Sequence, residues 1–171
     1  MIVCTGNICR SPMAQIVLHE RLRDAGLDDR VVVDSTGVSD EEAGNPVDPR
    51  ARQVLSAHGY PAGDGHRARQ VRADLLAERD LVLAMTTRHA RALRTVADGT
   101  DVDIRMYRSF DPAAPDVPAG GSESVLDVED PWYGDLDGFE TCLAQVEAAA
   151  DGIVEHARAA LDGRHPERVE G

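Results

Sequence analysis

A cysteine and an arginine with five residues between them, held in one tight turn, constrain this chain more than anything else in it. The stretch reads Val3-Cys4-Thr5-Gly6-Asn7-Ile8-Cys9-Arg10-Ser11-Pro12. Ile2 and Val3 are β-branched and apolar and end a strand. Ser11 suits a helix N-cap and Pro12 the first helical position, so a helix is expected to follow at once. Gly6 and Asn7 tolerate positive φ, which lets the loop turn its backbone N–H groups inward to form an anion-binding concavity. The helix N-terminus adds partial positive charge at the same spot. A thiol held in such a place favours the nucleophilic thiolate. Arg10 adds a planar fork that matches two oxygens of a phosphoryl group. Nucleophile, anion cradle and clamp share one loop, an arrangement suited to a phosphate monoester.

The rest of the chain supplies a scaffold for that loop. After a first helix over residues 12–26, the run Val31-Val32-Val33 reads as a strand ended by Asp34-Ser35-Thr36-Gly37. Asp48 and Pro49 cap and open a second helix that stops near Gly59. Leu81-Val82-Leu83-Ala84-Met85 is the third strand, residues 87–96 a helix, and residues 102–107 the fourth strand. A Pro/Gly/Ser-rich loop spans residues 111–124, and an amphipathic helix runs over residues 139–161. Strands alternating with helices predict an α/β fold: a single doubly wound domain over residues 1–161, with a central four-stranded parallel sheet flanked by helices. Residues 162–171 read as a polar tail. Ligands of such sheets sit beyond the C-terminal strand ends, where the Cys4 loop lies.

Composition narrows the function further. Eighteen Lys+Arg against 31 Asp+Glu give a net charge of −13, which argues against general nucleic-acid binding. All the cationic side chains are arginine, so Schiff-base chemistry and the lysine-dependent phosphate loop are excluded. Arginine without lysine also suggests a source with a GC-rich genome. No apolar run reaches the length of a membrane span, and no signal peptide precedes the motif. The reading is a soluble, cytoplasmic chain, with non-classical secretion left open. Three cysteines form no secreted disulfide framework, and Cys4 and Cys9 are too few for a structural zinc site.

The string from Cys4 to Ala14 resembles the phosphate-binding loop of the low-molecular-weight protein tyrosine phosphatases, in an actinobacterial-like form. The resemblance implies that family's fold, no cofactor and no metal, and tyrosine-phosphorylated proteins as substrates. It also implies a mostly monomeric chain with weak self-association. Family members usually carry a longer first strand than Met1, Ile2 and Val3 provide. Thr5, Gly6, Asn7, Ile8, Cys9 and Ser11 would line the phosphate, with Ser11 placed to donate to the Cys4 sulfur. Asn7 would prop the loop through a network reaching Ser35 and His66. Cys9 would be able to form a reversible disulfide with Cys4.

Phosphate-ester cleavage also needs a proton for the departing oxygen. Asp130-Pro131-Trp132-Tyr133-Gly134 resembles the family segment whose aspartate is the general acid. Pro131 stiffens the turn. Trp132 and Tyr133 would wall a slot for an aryl phosphate and shield the acid from water. Cys142 reads as a core residue of the last helix.

Related enzymes share the loop. Arsenate reductases need a further cysteine pair, which residues 81–97 lack. Protein-arginine phosphatases carry a threonine where this chain has Ile8, and a branched apolar residue there favours a flat aryl group. A phosphotyrosine-binding pseudo-enzyme would be expected to lack one of Cys4, Arg10 and Asp130. One departure stands out. Where relatives often place an aromatic side chain on the slot wall, this chain has Glu41 followed by Glu42; a carboxylate there either costs affinity for the incoming dianion or selects peptides with basic neighbours.

Overall fold

Alternation within three short strands decides how the molecule is layered. In the computed structural model, which describes residues 1–163, Ile2 and Cys4 face one side of the sheet while Met1 and Val3 face the other. The elements in order are β1 (Ile2–Cys4), α1 (Arg10–Asp24), β2 (Ser35–Gly37), α2 (Pro49–Ala57), α3 (Ala73–Ala77), β3 (Leu81–Ala84), α4 (Thr87–Val96), β4 (Asp103–Met106) and α5 (Leu136–Gly163). Short 3₁₀ turns occupy Tyr107–Phe110, Glu123–Leu126 and Pro131–Tyr133. The sheet is wholly parallel, in the order β2-β1-β3-β4. β1 is therefore the strand from which the chain first moves to one side and later to the other. The loop after it opens at that switch point.

Ile2, Cys4, Leu83 and Met85 pack against α1, α2 and α5. Phe139, Leu143, Val146, Ala150 and Ile153 of α5 are buried at helical spacing, and Met13 and Leu18 of α1 meet the same core. Burying a side chain of that size contributes roughly 1.5–3 kcal/mol, which holds α1 and α5 behind the Cys4 loop. On the other face Val3, Val82, Ala84 and Met106 meet Leu76 of α3 and Ala90 and Leu93 of α4. The buried Tyr107 hydroxyl donates to the Val146 carbonyl at 3.1 Å, so the core keeps no idle phenol.

Two expectations are corrected. The second strand is Ser35–Gly37, not residues 31–33. In the parallel register Ile2 faces Ser35, which sets Met1 opposite Asp34 and leaves residues 31–33 with no β1 residue beside them. Val32 is accordingly 83% exposed, while Val31 and Val33 pack around Leu22, Leu27 and Val154. The first helix begins at Arg10, with Cys9 rather than Ser11 at its N-cap. Pro12 is tolerated because the early N–H groups of a helix have no partner inside it, and Ser11 is freed for another task. The tail expected over residues 162–171 lies outside the described residues from 164 onward; Asp162 and Gly163 belong to α5. Among the described residues, no helix is long and apolar enough to cross a membrane.

Candidate active site

The loop between β1 and α1 is wound around the Cys4 sulfur. The Asn7 N–H donates to Cys4 Sγ at 3.3 Å, and Ser11 Oγ lies 3.0 Å from the same sulfur. The Ser11 hydroxyl also lies 3.3 Å from the Thr36 carbonyl, so its one proton has these two acceptors in reach. Starting α1 one position before Ser11 is what turns its hydroxyl inward.

Asn7 carries the strain that closes the loop, with φ at +59°. Its side chain makes that conformation pay its way: Nδ2 donates to Ser11 Oγ at 3.0 Å and Ser35 Oγ at 2.8 Å, and Oδ1 accepts from the Arg69 N–H at 3.0 Å. His66 Nε2 donates to the Asn7 carbonyl at 2.7 Å. Burial draws His66 below its ordinary value, against the opposing pull of that carbonyl. Ser35 and His66 thus both touch Asn7 from outside the loop.

Arg10 is almost wholly buried, yet its Nε has no partner among the described residues. Its other nitrogens are held: Nη1 donates to the Val128 carbonyl at 3.1 Å, and Nη2 to Thr5 Oγ1 at 3.2 Å and Asp130 Oδ2 at 2.5 Å. A buried guanidinium with an idle N–H costs free energy unless an acceptor arrives. Asp130 caps the Pro131–Tyr133 turn, its Oδ1 accepting from the Trp132 N–H at 3.2 Å. The Val128 N–H donates to the Met85 carbonyl at 2.8 Å, which ties the acid segment to the end of β3.

These groups meet in a cavity of about 120 Å³ lined by Cys4, Thr5, Gly6, Ile8, Cys9, Arg10, Glu41, Glu42, Asp130, Trp132 and Tyr133. Tyr133 is 92% exposed and Trp132 40%, so both rings stand at the rim rather than in the core. Glu42 accepts from Asn45 Nδ2 at 2.7 Å and lies across Gly6, where an added Cβ would meet its Cγ at 2.8 Å. A larger groove of about 490 Å³ lies at the opposite, N-terminal end of the strands, among Leu18, Val31, Val32, Leu81 and Leu161. Cys4, Arg10 and Asp130 all line the smaller cavity.

A family model described as "Low molecular weight phosphotyrosine protein phosphatase" matches residues 1–162. The chain belongs to that family. A low molecular weight protein-tyrosine-phosphatase of Streptomyces coelicolor is 47% identical over 165 residues, covering 95% of this chain and 94% of the relative. Among solved structures, the low molecular weight protein tyrosine phosphatase of T. tengcongensis is 32% identical with a TM-score of 0.74, over 91% and 96% of the two chains. A drosophila arginine phosphatase is 25% identical with a TM-score of 0.77, over 92% and 96%. As a low molecular weight phosphatase, the chain has the four-stranded α/β fold and hydrolase class expected of it.

Sequence reasoning passed over three supports of this phosphatase's site. Arg50 holds the acid segment: Nη1 donates to the Trp132 and Gly134 carbonyls at 3.1 and 2.9 Å, while Nε and Nη2 reach Asp48 at 3.1 and 3.0 Å. Its guanidinium also lies 4.7 Å from the centre of the Phe139 ring and 5.5 Å from that of Trp132. Burial works to raise Asp48, but the Arg50 contacts outweigh it and hold the carboxyl below its usual range. Gly37 backs the loop so closely that a Cβ there would meet the Thr5 carbonyl oxygen at 2.4 Å. His89 of α4 reaches Thr5. For none of the three does any local pattern point to the site.

All three cysteines are free and buried. Burial pushes the Cys9 thiol up, and the Cys142 thiol up to about 12.

Proposed function

We propose that Cys4, Arg10 and Asp130 carry out the family's hydrolysis of phosphotyrosine monoesters in this chain, in two steps. Cys4 attacks phosphorus in line while Asp130 gives its proton to the departing phenolic oxygen, leaving a phosphocysteine. Asp130, now a carboxylate, takes a proton from water as that water attacks phosphorus, and Cys4 leaves as thiolate. Arg10 and the loop N–H groups hold the equatorial oxygens through both steps.

The observation that carries this reading is Arg10 Nε, buried and without a partner among the described residues, on a side chain that lines the cavity with Cys4. Its edge of the guanidinium also bears Nη2, the nitrogen that Asp130 occupies at 2.5 Å. An incoming dianion takes Nε and competes with Asp130 for Nη2. Ile8 and Trp132 give the cavity apolar walls that suit a flat phenyl ring better than a polar guanidino group. Ser35 and His66 act through Asn7 as props for the loop. Cys9 completes a protective cycle: after oxidation of Cys4 to the sulfenic acid, the Cys9 thiol displaces water and forms a disulfide.

The test is phosphate release from a phosphotyrosine peptide and a phosphoarginine peptide in parallel, with chelator present and Cys4→Ser as the blank. Preference for phosphotyrosine, abolished in the blank, is the expected result. Preference for phosphoarginine would keep the mechanism and overturn the substrate. Binding without turnover of either would make the chain a phosphotyrosine-binding protein.

A further inference from the structure

His89 is the only histidine of the chain that is fully buried among the described residues, and the mechanism above makes no use of it. It enters from α4, on the face of the sheet opposite α1 and α5. Its Nε2 lies 3.0 Å from Thr5 Oγ1 and its Nδ1 lies 3.0 Å from Thr86 Oγ1. Thr86 Oγ1 also accepts the His89 N–H at 3.3 Å as the cap of α4. Thr5 Oγ1 in turn receives Arg10 Nη2 at 3.2 Å. A chain of contacts therefore runs from the start of α4 to the phosphate clamp.

The cationic donor at one end orients that chain. A guanidinium can only donate, so Thr5 Oγ1 is the acceptor in its bond with Arg10. Its one proton then has a single acceptor within reach among the described residues, His89 Nε2. A bare Nε2 puts the ring proton on Nδ1, where it is donated to Thr86. Either tautomer gives one threonine oxygen a second N–H; the Nδ1–H form places it on Thr86 Oγ1, whose other donor is the neutral His89 main-chain N–H, and spares Thr5 Oγ1, which already accepts from a cation.

From this we infer that His89, as a neutral Nδ1–H imidazole, is a positioning residue for Arg10: by holding the Thr5 proton it keeps the Thr5 lone pair aimed at the clamp. The inference rests on the phosphatase reading above. Burial, together with the positive charges of Arg10 and Arg88, lowers His89 to about 3, so the ring stays neutral at working pH. With Nη1 on Val128 and Nη2 on Thr5, the guanidinium plane is fixed, and Nε with the remaining Nη2 hydrogen faces the substrate. Were the Thr5 hydroxyl free to turn, its proton would face Arg10 and the plane would lose one of its two fixed supports.

The decisive measurement needs no variant: long-range ¹H–¹⁵N correlation of the histidine rings in the wild-type protein at neutral pH. The Nδ1–H tautomer at His89 is expected, and the Nε2–H tautomer would overturn the inference. Variants then test the consequence. His89→Phe is expected to lower kcat/KM about tenfold, the scale of a lost hydrogen bond to a charged group. Orthovanadate, which reaches the geometry of the transition state, is expected to lose more affinity than inorganic phosphate. Thr5→Val is expected to match His89→Phe, and the double variant to be no worse than about twice either single one. His89→Gln, whose amide oxygen can accept from Thr5, is expected to recover most of the loss. Equal loss of vanadate and phosphate affinity, fully additive variants, or failure of Gln to rescue would each refute positioning. The tautomer and the oxyanion affinities do not depend on turnover, so they separate failure of this inference from failure of the phosphatase reading.

Discussion

Replacing Arg50 by alanine asks whether the acid segment is placed by a residue that never touches the substrate. The change removes two charge-assisted bonds, to the Trp132 and Gly134 carbonyls, and the contacts with the Trp132 and Phe139 rings. A well-shielded bond of that kind contributes about 1.5–3 kcal/mol, and an exposed cation–π contact about 0.5–1 kcal/mol. The Arg50 side chain is one-third exposed, at 33%, so screening and competing water take part of that away. About 1–2 kcal/mol of ordering is left, which converts to roughly tenfold in rate. Asp48 still accepts the main-chain N–H of residue 50, at 2.8 Å in the native chain, so α2 keeps its cap. The assay is steady-state hydrolysis of aryl phosphates that differ in leaving-group basicity. A good leaving group needs little protonation, so p-nitrophenyl phosphate is expected to show a small deficit and phenyl phosphate the full one. In an Asp130→Asn background, Arg50→Ala is expected to add nothing. The same deficit for both esters, or an added loss in that background, would refute placement of the acid and point to a general effect on binding.

Three further outcomes follow from the site's surroundings. Glu41→Trp is expected to raise kcat/KM on aryl phosphates about fivefold at low salt, by removing a like charge beside the dianion, and less at high salt. No change, or a loss, would mean that Glu41 does not border the bound ester. Gly37→Ala drives a Cβ into the Thr5 carbonyl oxygen, 2.4 Å away, and the Asn7 nitrogen, 3.1 Å away. A loop displaced on that scale is expected to lose about a hundredfold in kcat/KM, and wild-type kinetics would refute the close packing of β2 on the loop. His89 titrates at about 3 in the fold against 6.5 when unfolded. Between those values the unfolded chain binds a proton that the fold excludes. This contribution is therefore complete above pH 6.5 and declines as pH falls toward 3, by up to about 1.4 kcal/mol per unit. Urea unfolding at pH 7 and pH 5 is expected to show the decline in wild type and a smaller one in His89→Gln; parallel behaviour would refute it.

The elements that could be read from the sequence are those whose limits are set locally. α2 begins where Asp48 caps it, its carboxylate accepting the Arg50 N–H, and α4 occupies the expected residues 87–96. β3 is an unbroken apolar run because both of its faces are covered. The second strand was misplaced because three valines in a row look more like a strand than Ser35-Thr36-Gly37 does. Pairing is decided by what lies alongside, and β1 offers its edge to Ser35–Gly37. α3 was missed because five residues are too few to show a period.

The same division runs through the site. Cys4, Arg10 and Asp130, the proposed nucleophile, clamp and acid, were legible as candidates because one loop and one Asp-Pro turn carry them. Arg50, Gly37 and His89 could not, because each acts across 30 or more residues of chain. Gly37 acts only through the side chain it lacks. Yet each holds a different part of the machinery: β2 backs the loop through Gly37, α2 grips the acid segment through Arg50, and α4 reaches the clamp through His89. The proposed nucleophile, acid and clamp are thus each backed by a separate element of the fold. A substitution in any one of them should shift a different kinetic observable, respectively the affinity for oxyanions, the dependence on the leaving group, and the preference for vanadate over phosphate. That separation lets the supports be tested one at a time, although the groups they hold lie in a single cavity of about 120 Å³.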